Sequence, residues 1–155
     1  MSSSVPDVWT AIADAASAES PLWGSSLRAD DERETEPVFS RLTDPRFALA
    51  VETIYEGYLV HYGRPRLFSP PDRDTALLLG DYLYAQGLVR LAETGSVEAV
   101  GAMAELISLC AHLRGLGSDG DGDAWAATVG GLDGAAPAEP QDMAGALAAH
   151  AARVS

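Results

Sequence analysis

The sequence predicts an all-α fold, a single helical bundle of about five or six helices. Three observations carry that prediction. Apolar residues recur at three- and four-residue intervals through most of the chain. Helix starts and stops stand where that periodicity begins and ends, as at Asp44-Pro45, Gly63, Pro70-Pro71-Asp72 and Gly95-Ser96. No stretch alternates apolar and polar residues as a half-buried strand does. At 155 residues the chain is one domain by size. A domain of that length buries about 68–70% of its unfolded surface, so it can hold a core without disulfides or metals. A hydrophobic content of 47% argues against disorder.

The first helix is predicted from about Pro6 to Ala18, with Ser4 as cap and Pro6 and Asp7 in its first turn. Val5, Trp9, Ile12, Ala13 and Ala16 fall on one face. Pro21 to Ser26 reads as a connector, and the charged run Arg28 to Glu36 leads into a short helix near Glu32–Leu42 with a solvated face. Asp44-Pro45 opens the next helix, with Phe47, Val51, Ile54, Tyr55, Tyr58 and Tyr62 at helical spacing; Gly63 and Pro65 end it. Pro70-Pro71-Asp72 opens a longer helix to about Glu93, with the apolar stripe Leu78, Tyr82, Ala85, Leu88, Val89 and Ala92. Another helix runs from Val97 to Arg114 with Val100, Met103, Ile107 and Cys110 inward. Residues 1–114 thus form the helical domain. Residues 115–139, rich in Gly, Asp, Ala and Pro, are expected as a loop with one helical turn around Trp125. Residues 140–155 carry a C-terminal helix, Gln141 to Arg153, packed on the domain or mobile.

Charge narrows the function classes. The chain has 23 acidic and 10 basic residues, a formal net charge of −13, and every basic residue is arginine. Such a surface repels phosphate backbones, and no arginine cluster with interleaved aromatics offsets it, so no nucleic-acid partner is expected. The single cysteine, Cys110, lies in an apolar helical pattern and reads as a packed, inert thiol. Met1 to Asp7 has neither a basic nor an apolar leader segment, and no apolar run reaches the roughly 18 residues of a membrane span. The expected address is the cytoplasm.

Several constellations have chemical potential. Glu52 and Glu56 are four apart on a helix, so their carboxylates share a face, either as oxygen ligands for Mg²⁺ or as a solvated strip. Arg64 and Arg66 follow a helix end, where they either clamp a phosphate or carboxylate or complement the helix dipole. Asp81 falls on or beside an apolar face and there needs a partner, such as Arg64, Arg66 or a tyrosine hydroxyl. Gly80 and Gly87, seven apart on the same helix, point to a close helix or ligand approach. Asp119, Asp121 and Asp123 mimic the start of a calcium loop, but Ala124 stands where its glycine belongs and Gly130 where its glutamate belongs, so a polar turn is the reading. His61, His112 and His150 have no metal-ligand spacing, and no nucleophile or phosphate-loop motif is present.

In order and approximate spacing, Glu52-Thr53-Ile54-Tyr55-Glu56, then Gly63-Arg64-Pro65, then Leu79-Gly80-Asp81-Tyr82-Leu83-Tyr84-Ala85 resemble one segment of the trans-isoprenyl diphosphate synthases. That segment carries a DDxxD helix, an RRGxP loop and an AGDxLLxxA helix. The resemblance implies a fold that is isoprenoid-synthase-like in part. Both aspartate-rich motifs are absent and the chain is far shorter than the family requires, so it lacks the metal cluster that stabilises a departing diphosphate. The implied role is a non-catalytic subunit or regulator partnering a synthase in isoprenoid biosynthesis, with Mg²⁺ only in the catalytic partner. Arg64 and Arg66 are then the diphosphate contacts and Glu52 and Glu56 the metal candidates. Phe47, Tyr55, Tyr58, Tyr62 and Tyr82, with the Gly80–Asp81–Gly87 helix, would form the contact or the tunnel wall. The alternative, from another class, is a free-standing helical module binding a small apolar or anionic ligand between its helices, alone or with a second copy of itself.

Overall fold

The fold is all-α. A computed structural model describes residues 7–154, and within them seven α-helices and no strand are found. Ser4, Val5 and Pro6, expected in the first helix, lie outside the described residues. Helix α1 spans Val8–Glu19, capped by Asp7, whose carboxylate accepts the Thr10 N–H at 2.7 Å. Ser20 caps the short α2, Pro21–Ser25, with proline in its first turn.

No α-helix forms over residues 32–42. The chain runs extended between two 3₁₀ turns, Asp30–Glu32 and Ser40–Leu42, and interrupts its charged pattern at Pro37. Its backbone groups pair at long range instead: Arg28 N–H donates to the Leu67 carbonyl at 2.8 Å and Glu34 N–H to the Arg66 carbonyl at 3.0 Å. A single bridge joins Leu27 to Phe68.

Asp44-Pro45 nucleates as expected: Asp44 caps a 3₁₀ turn, Pro45–Phe47, that runs into α3, Ala48–Tyr62. Every residue of α3 from Ala50 to Val60 is buried. A helix enclosed on all sides is a core element, and α3 is the axis of the bundle. One hydrophobic cluster joins it to α5 (Val97–Gly115), α6 (Asp121–Gly130) and α7 (Pro140–Val154); a second joins it to α1 and the first half of α4 (Arg73–Glu93). Asp72 and Ser96 cap α4 and α5 through the Thr75 and Ala99 N–H groups.

The inward face of α4 differs from the stripe the sequence predicts. Thr75, Leu79, Gly80, Leu83, Gly87 and Leu91 are buried, while Leu78 is 55% and Val89 54% exposed. The reason is steric. A Cβ on Gly87 would lie 2.3 Å from Ile54 Cγ1, and one on Gly57 would lie 3.0 Å from the Gly80 carbonyl oxygen. Helices α3 and α4 therefore meet along a glycine edge, and this turns the more hydrophobic edge outward.

Residues 115–139 also depart from expectation. Asp121–Gly130 is a helix of ten residues with Trp125, Ala126 and Val129 buried. Trp125 stacks on Phe39 and meets Tyr55 and Tyr58 edge-on, and this aromatic seat orders a segment whose Gly–Asp alternation reads locally as a turn. Among the described residues no helix is long and apolar enough to cross a membrane.

Candidate functional site

The expected metal and anion residues meet one another inside the protein. Arg66 is 0% exposed, and Glu52 and Glu56 are equally enclosed. Arg66 Nε donates to Glu56 Oε1 at 3.0 Å and Nη1 to Glu52 Oε1 at 2.6 Å. Two more guanidinium hydrogens reach the Glu36 and Glu52 carbonyls. Glu56 Oε2 accepts the Arg66 and Leu67 backbone N–H groups at 2.9 and 2.8 Å, while Glu52 Oε2 accepts the Ser40 hydroxyl at 2.6 Å and the Val38 N–H at 3.3 Å. All four carboxylate oxygens are thus engaged. The guanidinium lies between the rings of Trp9 and Tyr55, 4.7 and 5.1 Å from their centroids. Burial pulls the Arg66 pKa down, but the Glu52 and Glu56 charges outweigh it and hold the cation above its ordinary value.

This corrects two sequence expectations. Glu52 and Glu56 share a face, but it is neither a solvated strip nor open to a metal, because Arg66 and loop N–H groups fill it. Arg66 does not contact an outside anion. Arg64 is exposed, but its guanidinium hydrogen-bonds the Ala152 carbonyl and its N–H donates to the Arg153 carbonyl at 2.9 Å, so it caps the end of α7. Arg153 in turn pairs with Glu34, whose carboxyl is held below its usual range by the hydrogen bond from Arg153. Among the described residues no group of three His, Cys, Asp or Glu is placed to hold a metal.

A second polar cluster spans α3, α5, α6 and α7. Tyr58 donates its hydroxyl proton to Asp121, Arg114 Nε donates to the same carboxylate at 2.7 Å, and Arg114 Nη2 donates to the Tyr58 oxygen at 2.8 Å. Tyr55 OH pairs with His150 Nδ1 at 2.8 Å. Burial raises the pKa of both tyrosines, so their hydroxyls stay protonated. Burial also drives His150 below its ordinary value and pushes the Cys110 thiol up to about 12. Phe47, Tyr55 and Tyr58 are all core residues, so they form no contact surface. Tyr62 is half-buried beneath the Arg114 guanidinium, and Tyr82 is half-buried, stacked on Trp23 at 5.8 Å.

A cleft of about 600 Å³ lies between α3, α4 and α5, with His61 in its wall. His61 Nε2 sits 3.1 Å from the Leu77 carbonyl and 3.5 Å from Asp81 Oδ1. Gly80 provides the space for that ring, since a Cβ there would lie 2.1 Å from His61 Nε2. Asp81, expected to be buried, is 64% exposed at the cleft's rim; the rotation of α4 that buries the glycine edge carries it outward.

The sequence marks His61 and His150 only as histidines without metal-ligand spacing and Asp121 only as part of a polar turn, and it gives Arg114 no role. No protein-family model, curated protein or solved structure matches the chain.

Proposed function

We propose that this chain is a non-catalytic helical partner subunit that docks on another helical protein through the outer face of α4. The observation that carries the reading is that face itself. Leu78 and Val89 are 55% and 54% exposed, with Ala85 and Ala92 exposed beside them. Leu78, Ala85, Val89 and Ala92 keep the seven-, four- and three-residue spacing of a helix-packing seam. Large apolar side chains gathered on one face of the longest helix are the usual mark of an interaction surface.

The inward turn of Glu52, Glu56 and Arg66 supports the non-catalytic part. In the resemblance these positions would handle metal and diphosphate; here they neutralise one another. The resemblance makes an isoprenyl diphosphate synthase the first partner class to test, with the catalytic metal supplied by that chain.

Photo-crosslinking in the native host tests the reading. A crosslinkable residue at Val89 is expected to capture a chain bearing both aspartate-rich motifs, and one at exposed Asp14 on α1 is not. Adding Leu78→Asp to the chain labelled at Val89 is expected to abolish capture while leaving the circular dichroism and urea midpoint unchanged. Capture from Asp14 alone, or from Val89 only to the chain itself or to proteins without those motifs, would sink the proposal.

A further inference from the structure

We propose that the cleft between α3, α4 and α5 is a binding site for a small organic cation, a protonated amine on a compact apolar body. Its volume of about 600 Å³ lies within the range of about 300–1,000 Å³ typical of small-molecule clefts. Val60, Leu77, Ile107 and the aromatic Tyr84 supply apolar wall. The polar groups are predominantly acceptors. His61 Nε2 faces two acceptors, the Leu77 carbonyl at 3.1 Å and Asp81 at 3.5 Å, so that nitrogen carries the proton. Asp74 and Asp81 stand seven residues apart on α4, both exposed, and outnumber the one cation in the lining, Arg73.

Two features select a cation over an anion. The carboxylates at the rim accept ammonium protons. The formal charge of −13 raises the local concentration of cations over the whole surface. The site is also pre-formed: Gly80 leaves the imidazole its recess, and the two acceptors fix its tautomer. This inference does not rest on the docking of α4, and its test uses no partner protein.

The probe is 2-phenylethylammonium, compared with phenylacetate, which has a similar body and the opposite charge. Binding is read from the His61 imidazole signals in NMR titrations of the full chain. The ammonium is expected to shift them saturably and phenylacetate to do so far more weakly. Asp81→Asn is expected to weaken the ammonium about three- to fivefold, the scale of an exposed ion pair. Ala111→Trp, an exposed lining position on α5, is expected to fill the cleft and remove the saturable shift. Tighter binding of phenylacetate, or equal ammonium affinity in Asp81→Asn, would overturn the cation assignment. Absence of any saturable shift at His61, or an unaltered one in folded Ala111→Trp, would overturn the site.

Discussion

Replacing Arg66 with methionine tests the internal charge cluster most directly. The change keeps an apolar stem of similar length but removes hydrogen bonds to Glu56 at 3.0 Å, to Glu52 at 2.6 Å and to the Glu36 carbonyl at 2.9 Å. It leaves two carboxylates, each 1% exposed or less, with no cation between them. Breaking a buried pair by removing one partner costs about 3–5 kcal/mol. For a chain of this length that is a loss of roughly 6–20 °C in Tm, at about 2–4 °C per kcal/mol. Adding Glu52→Gln and Glu56→Gln to Arg66→Met removes the orphaned charges and is expected to recover part of the loss. Urea titrations followed by circular dichroism measure this. A single variant within about 1 kcal/mol of the parent, or a triple variant no better than the single, would refute the argument.

Gly80→Ala is expected to destabilise the chain by about 1–3 kcal/mol through overpacking and to displace the His61 ring, whereas Gly101→Ala on α5, with open space around it, is expected to stabilise by about 0.5–1 kcal/mol. Urea midpoints and the His61 imidazole spectrum distinguish the two. For His150, the folded pKa lies below the ordinary 6.5, first because of burial, with Arg114 opposing and Asp121 favouring its charge. Below pH 6.5 the unfolded chain therefore binds the proton more readily, and stability falls as pH drops from 7.5 toward 5.5. His150→Gln is expected to flatten that slope, and an unchanged slope would show that another group is responsible.

How much of this was readable in advance depends on whether the signal was local. The starts of α4 and α5 were visible because Asp72 and Ser96 cap them through side-chain contacts three residues away, and that of α3 because Asp44 caps the 3₁₀ turn leading into it. The pairing of Glu52 and Glu56 on one helix face was visible for the same reason. Their encounter with Arg66 was not, because it requires the loop after α3 to fold back so that its own N–H groups reach Glu56. On α4 the periodicity was present but ambiguous in phase. Hydrophobicity favours Leu78 and Val89, whereas the closeness of α3 favours Gly80 and Gly87, and close backbone approach prevailed. The sequence predicts helix α6 only as one turn around Trp125, because much of what holds it is distant in sequence: the ring of Phe39 and the hydroxyl of Tyr58.

The loop from Gly63 to Ser69 commits both of its arginines to holding the fold together. Arg66 ties α3 to the Glu36 carbonyl and to the Trp9 ring of α1, and Arg64 ties the same loop to the end of α7. Helix α3 can be enclosed on all sides while carrying two glutamates only because this loop supplies a cation and backbone N–H donors to both. Drawing Arg66 outward to meet a phosphate would strand both carboxylates, at the cost estimated for Arg66→Met. A ligand held through one exposed contact cannot offset several kcal/mol. Glu52, Glu56 and Arg66 are therefore committed to folding. The outer face of α4 and the His61 cleft are built from residues outside this cluster, so partner or ligand can engage them without disturbing it.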